Sequence, residues 1–145
     1  MLIDIVPRNP VEALAQGEGD VTAIYDEAAQ QISPGEHTSY GHDEIAGFWR
    51  SMFGALRVQQ FTLEHLAWQQ DQATSGRSDR LSLRFRAKTV HSPRDSSLLR
   101  YGKESGREVE VMGIVHAELV QGRVLREWVL IDDVALWMQV LVPQA

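Results

Sequence analysis

The chain has no cysteine. That excludes disulfides, thiolate metal ligands and cysteine nucleophiles, and it removes the usual marker of redox compartment. Positive charge is scarce: 14 Lys and Arg stand against 20 Asp and Glu, for a net charge of −6. An acidic chain offers no general field for a nucleic-acid backbone. No apolar run approaches the roughly 20 residues that cross a bilayer. The opening Met1 to Arg8 is too short and too polar for the apolar part of an export signal. A cytoplasmic protein with neither a nucleic acid nor a membrane as partner is expected. Several catalytic templates are missing too. There is no Gly-x-Ser-x-Gly elbow, no phosphate loop and no dinucleotide fingerprint. The five histidines lack His-Glu-x-x-His spacing, so neither a metal nor a cofactor is expected.

What is present reads as a globular domain. The 145 residues, 43% of them hydrophobic, suit one core and one domain over 1–145. Pro10 to Gln16 begins as a helix, with Pro10 in the first turn and Gly17 as its stop. Asp20 is placed to cap a short helix from Val21 to Asp26. Ser33-Pro34-Gly35 is a turn signal. Ile45, Phe48, Trp49, Met52, Phe53 and Leu56 then follow helical spacing, with Asp43 as the expected N-cap.

After Arg57 the period changes to two. Phe61 and Leu63 alternate, and a turn is expected near Ser75-Gly76. From Leu81 onward, Leu83, Phe85, Ala87, Thr89 and His91 share one face, while Ser82, Arg84, Arg86 and Lys88 share the other. This predicts a half-buried antiparallel strand. The basic stripe on its far side reads as a solvated face, or as one that forms ion pairs with Glu108, Glu110 or a second subunit. Ser92 to Glu108 is a long polar loop, the kind that often serves as a lid. Val109 to Val120 and Val124 to Asp132 form a hairpin about Gln121-Gly122. Val134 to Leu141 is a last apolar segment. Helices first and long antiparallel strands afterwards argue for an α+β fold.

Four short motifs, in order, resemble the SnoaL-like polyketide cyclases of the nuclear transport factor 2-like superfamily. They are Gly41-His42-Asp43-Glu44-Ile45 before Phe48, His91 at a strand end, Ser105-Gly106-Arg107-Glu108-Val109, and Gly122-Arg123-Val124 followed by Trp128, Asp132 and Gln139. The resemblance covers roughly residues 10 to 141. It departs at Arg126, where relatives often carry an acid, and at Ser92-Pro93-Arg94, where a glycine commonly follows the histidine. It implies a cone-shaped curved antiparallel sheet wrapped around N-terminal helices, a small apolar pocket at the open end, and a homodimer through the outer sheet face. It also implies a small hydrophobic carbonyl-type ligand. The alternative is a cofactor-free cyclase, isomerase or dehydratase.

Within that frame Asp132 is the expected general acid/base; the alternatives are a strand-end residue that caps the segment from Val134 onward, or Asp133 as the inward one. Trp128, Leu130 and Asp132 share a strand face, so an inward Trp128 brings Asp132 among apolar neighbours, where a carboxylate becomes a better base. His91 ends the inward stripe and is the second candidate. His116 depends on register. A two-residue loop sets Asp132 opposite Val111 and turns Val111, Gly113, Val115, Ala117 and Leu119 inward, leaving Glu110, His116 and Glu118 outside. A bulge or a three-residue loop turns Met112, Ile114, His116 and Glu118 inward instead. Trp128, Tyr40, Phe85, Leu130 and Trp49 are the expected ligand contacts, although Trp49, like Trp68 and Trp137, also fits core packing. Tyr25, Tyr40 and Tyr101 are candidate phenol donors to an oxyanion.

Overall fold

The computed structural model describes residues 10–15, 20–35, 37–71 and 78–142. Helix α1 spans Pro10–Ala15 and α2 is a single turn, Val21–Ile24. Asp20 caps α2 by accepting from the Thr22 backbone N–H at 3.0 Å. Gly17 and the Ser75-Gly76 turn lie outside the described residues.

The chain then departs from a helices-first order. Strand β1 (Tyr25–Ser33) and strand β2 (His37–Tyr40) form a hairpin about Pro34-Gly35, with Gly35 at φ 85°. The stretch Asp26-Glu27-Ala28-Ala29-Gln30-Gln31 has no β-branched or aromatic residue, so its extended form comes from pairing rather than propensity. Helix α3 (Gly41–Ala55) follows, with Tyr40 rather than Asp43 at the N-cap position. Glu44 reaches back to accept from the Tyr40 N–H at 2.7 Å, satisfying a donor left free at the helix start. Asp43 instead sits in the first turn, where the helix dipole favours its charge.

The remaining elements are β3 (Leu56–Asp71), β4 (Ser78–His91), β5 (Glu108–Val120), β6 (Arg123–Ile131) and α4 (Asp133–Leu141). The sheet is curved and unclosed, in the order β2-β1-β6-β5-β4-β3. Neighbours are antiparallel except β1 and β6, which run parallel. The α+β class of the sequence reading stands, with helices packed on the sheet's inner face.

Strand β4 follows the alternation in its sequence: Leu81, Leu83, Phe85, Ala87, Thr89 and His91 are buried. Phe85 stacks on Phe61 with ring centroids 5.1 Å apart. It also lies over Gly113, where an added Cβ would come within 2.4 Å of the ring, so only glycine fits there. On the outer face Arg84 and Arg86 pair with Glu64 at 3.4 and 3.5 Å, and Arg86 pairs with Glu110 at 3.4 Å.

The hairpin between β5 and β6 decides what faces the interior. Gln121 and Gly122 both have positive φ, 54° and 79°, as a tight two-residue turn requires. Val120 faces Arg123 and Leu119 faces Val124. The next pair is Glu118 with Arg126, so Leu125 is an extra residue and makes a β-bulge. Beyond the bulge the parity of β6 is reversed. Gly113 faces Ile131 and His116 faces Trp128. The inner set on β5 is Val111, Gly113, Val115, Ala117 and Leu119, as the two-residue loop predicts; the bulge, expected to turn Met112, Ile114, His116 and Glu118 inward, falls on β6 and changes the face of that strand instead. The inner set on β6 is Val124, Glu127, Val129 and Ile131. Trp128 and Leu130 lie on the outer face, contrary to the expectation that Trp128 points inward.

The segment 92–107 is stitched down. The backbone N–H groups of Ser92 and Arg94 donate to Ala55 and Gly54 at 3.2 and 3.1 Å. Leu98 packs on Gly54, and Tyr101 is buried with its hydroxyl donating to Asp133 at 2.7 Å.

Candidate functional site

The reversed parity brings a carboxylate into the core. Glu127 is only 2% exposed. It is laterally paired with Gln31 across the parallel β1–β6 junction. Gln31 Nε2 donates to Glu127 Oε1 at 3.1 Å, and the Tyr25 hydroxyl donates to Oε2 at 2.7 Å. Trp49, from α3, donates its indole N–H to the Tyr25 oxygen at 3.1 Å. The Tyr25 backbone is itself anchored, because His42 Nε2 donates to its carbonyl at 2.7 Å. Tyr25 and Gln31 from β1 thus meet the Glu127 carboxyl from β6, and Trp49 from α3 backs Tyr25.

Burial dominates the electrostatics. It pushes the Glu127 carboxyl up to about 7, although the hydrogen bonds from Gln31 and Tyr25 pull the other way. Burial, then the neighbouring Glu127 charge, pushes the Tyr25 phenol well above its ordinary range. Near neutral pH the pair therefore joins a phenol that keeps its proton to a carboxyl that exchanges one. That combination suits acid/base chemistry. Gln31 Oε1 is buried without a hydrogen-bond partner.

Trp49 links this cluster to a cleft of about 380 Å³ on the helical side. Its floor is apolar: Leu14, Val21, Trp49, Phe53 and Leu98. Arg50 from α3 and Arg94 and Asp95 from the loop also line it. Trp49 stacks on Phe53 with centroids 5.8 Å apart and meets Phe48 edge-on at 5.1 Å.

The residues expected from sequence scatter. Asp132 is exposed and caps α4, accepting from the Ala135 N–H at 3.1 Å; it does not face the interior. His116 lies on the outer face, with Nδ1 3.1 Å from the Ser82 hydroxyl and its ring edge-on to Trp128 at 5.6 Å. Leu130 is 56% exposed and Tyr40 59% exposed, so neither lines an interior site. Phe85 is core, wedged between Phe61 and Gly113. His91 is buried but serves the loop. Its Nδ1 accepts from the Ser105 backbone N–H at 3.3 Å and lies 2.7 Å from the Ser105 hydroxyl. Its own backbone bonds Arg107 and Gly106 at 2.8 and 3.0 Å. Burial lowers its pKa. Trp49 is the one expected ligand contact that reaches both the cleft and the cluster. Tyr25, named as a phenol donor, is at the centre.

Glu127 was missed, yet a signal existed. One parity of β6 buries Arg126 and Trp128 together, and the other buries Glu127 with Val129 and Ile131. A guanidinium cannot discharge on burial, whereas a carboxyl can take up a proton. Gln139 has a clear role as well. Past Ile131, β5 has no β6 partner, and the Gln139 amide accepts from the Glu110 N–H at 2.8 Å and donates to its carbonyl at 2.9 Å. It extends the ladder by one step.

Comparison with known proteins bears on this frame. The model of the SnoaL-like domain matches residues 9–127. The chain belongs to the SnoaL-like family. The match ends at Glu127, so the Trp128, Asp132 and Gln139 spacing lies beyond it. No curated protein matches the chain in sequence. Among solved structures, a candidate SnoaL-like polyketide cyclase from Jannaschia sp. CCS1 is similar, with a TM-score of 0.71 at 16% identity over 98% of this chain and 92% of that one. A candidate isomerase from Rhodopseudomonas palustris gives 0.65 at 13% over 99% and 98%. AclR, a candidate hydroxylase from Streptomyces galilaeus, gives 0.62 at 15% over 91% and 86%. At these identities the likeness shows the fold alone, and three different activities on one fold leave the chemistry to the site. Among the described residues of this SnoaL-like protein, no helix is long and apolar enough to cross a membrane. No group of three or more His, Asp or Glu among them is placed to hold a metal.

Proposed function

We propose that this SnoaL-like protein binds a small, largely apolar carbonyl compound through the Trp49 cleft and moves a proton on it with Glu127. One observation carries this reading: Trp49 is both a wall of the cleft and the hydrogen-bond donor to Tyr25, so a ligand that shifts the indole reaches the buried acid. The ionised Glu127 takes a proton from the carbon next to the carbonyl. The C–H electron pair moves into the enolate, and the Tyr25 hydroxyl, released from Glu127, donates to the enolate oxygen. Return of the proton at another carbon completes an isomerisation, and attack of the enolate on a second carbonyl completes a cyclisation. Neither route consumes an electron acceptor. Family membership supports the cyclase or isomerase class.

The test is exchange of the α-hydrogens of 2-octanone in D2O, followed by NMR. The wild type should accelerate exchange, increasingly so as the pH rises through about 7 and Glu127 ionises. Glu127→Gln should lose the acceleration with the fold intact. Undiminished exchange in that variant would remove Glu127 from the mechanism.

A second reading has its own support. Tyr25, Gln31, Trp49 and Glu127 are all nearly sealed from solvent, as in a structural polar core. On that reading the ketone binds, measured by calorimetry, while exchange stays at the background rate.

The outer sheet face fits a second copy of this chain. Ile114 faces Leu130 across β5 and β6, Met112 adjoins them, and all three are exposed. Arg84, Arg86, Glu64 and Glu110 supply both signs of charge around them, as a self-complementary two-fold contact needs. Leu130→Glu should convert a sedimenting dimer to monomer.

A further inference from the structure

We propose that the ligand of the Trp49 cleft carries a carboxylate, held at the mouth by Arg50 and Arg94; this rests on the cleft being the ligand's entrance. Combined with the carbonyl chemistry proposed for Glu127, the substrate class is an apolar oxo acid.

Three observations lead there. The floor of Leu14, Val21, Trp49, Phe53 and Leu98 suits an aliphatic or aromatic body and offers no acceptor for a cation. Arg94 and Arg50 are both open to a ligand, although the Ser97 hydrogen bonds and, beside them, the Arg50 charge hold the Asp95 carboxyl below its ordinary range. Both residues are exposed, and neither has an ion pair within 4.0 Å among the described residues. By contrast Arg100, just beyond them, is held by Asp133 at 3.4 Å and lies over the rings of Phe48 and Tyr101.

The third observation is charge. Asp95 is the one carboxylate among the described lining residues, and Ser97 already holds it. It accepts from the Ser97 N–H at 2.8 Å and from the Ser97 hydroxyl. Two arginines and one aspartate give the described lining residues a charge of +1 on a chain whose total is −6. The local sign is therefore opposite to the global one, which draws a small anion to this point of the surface. The Arg94 backbone N–H is fixed to the Gly54 carbonyl at 3.1 Å, so its side chain starts from an anchored point on the rim. A guanidinium is the group best matched to a carboxylate, and two of them beside an apolar trough describe a fatty or aryl acid rather than a neutral ketone.

The experiment is calorimetric titration of the full chain with octanoate and with 2-octanone, in low salt and in 0.5 M sodium chloride (roughly a 4 Å screening length). Octanoate should bind about tenfold tighter than the ketone in low salt, and the added salt should erase most of that margin. The double variant Arg50→Gln, Arg94→Gln should lose the octanoate preference and keep ketone binding. Both side chains are exposed, and a thermal melt by circular dichroism confirms that the variant folds. Equal affinity for the two probes in the wild type, or an octanoate affinity unmoved by the double substitution, overturns the carboxylate assignment and leaves the carbonyl reading standing. Failure of both probes to bind the wild type overturns the two together.

Discussion

Glu127 and Asp132 sit five positions apart at the end of one hairpin, and their surroundings are opposite. Glu127 is inside the sheet, bonded by Tyr25 and Gln31, with its carboxyl near half-ionised at neutral pH. Asp132 is in solvent, spending one oxygen on the first turn of α4. Both are acids next to apolar residues in sequence, and by pattern alone Asp132 looks the better catalyst. The difference comes from Leu125. One inserted residue flips the face of everything after it until the strand ends. A carboxylate's chemistry here is set by the parity of its strand more than by its neighbours in sequence.

The strongest way to break this contrast is Glu127→Arg, which sets a guanidinium that cannot discharge in the buried place beside Tyr25 and Gln31. A loss on the order of 4 kcal/mol or more is expected, read from urea unfolding. A wild-type midpoint would mean that the place is open to water. Deleting Leu125, by contrast, joins Val124 to Arg126 and keeps Arg126 opposite Glu118, so Glu127 should stay inward.

Glu127→Gln sharpens the contrast by pH. The carboxyl has an ordinary value of 4.5 and a folded value of about 7. Between these the folded chain holds the extra proton, so this group's contribution to stability is full below about 4.5 and is lost as pH rises through about 7. At pH 9 the wild type has lost on the order of 3 kcal/mol that the variant keeps. The variant should therefore melt higher than wild type at pH 9 and alike at pH 4. A glutamine can still accept from Tyr25, and it can donate to the unpartnered Gln31 Oε1. An unchanged melting point at pH 9 would contradict the raised carboxyl. What remains in the variant is the opposite slope of His91. Its pKa is lowered, so its contribution is present above 6.5 and falls away as the pH drops below that value.

Smaller effects follow. Tyr25→Phe strands Trp49 Nε1 and one Glu127 oxygen, and should cost about 2 kcal/mol. It should also move the pH limb of Glu127 upward, which loss of packing alone would not do. Asp132→Ala should cost about 1 kcal/mol as a lost cap, and Asp132→Asn almost nothing, with ketone binding unaltered in either. If Asp132→Asn abolished binding or exchange, the exposed acid would have to be reconsidered.

Much of the frame was legible because its signal is local. The strict alternation from Leu81 to His91, the Gln121-Gly122 turn and the helical spacing after Gly41 each follow from neighbouring residues. They hold in the structure with shifts of up to three residues at their ends. Strands β1 and β2 were not legible, because a run rich in Asp, Glu, Ala and Gln becomes a strand only when β6 lies beside it. The site was half legible. Tyr25 and Trp49 were among the candidates, but they arrive from distant segments, and nothing near either one names Glu127 as their partner.

By itself, then, the sequence determined the α+β class, the family, the β4 inner stripe and the tight turn of the last hairpin, since short-range periodicity and turn chemistry are enough for these. Tertiary structure alone decided which face of β6 is buried. Val124 to Ile131 has apolar residues on both parities, so neither is excluded locally. The choice is made where Leu125 bulges, Gln31 pairs alongside and a carboxyl, able to neutralise itself, takes the buried place that an arginine could not.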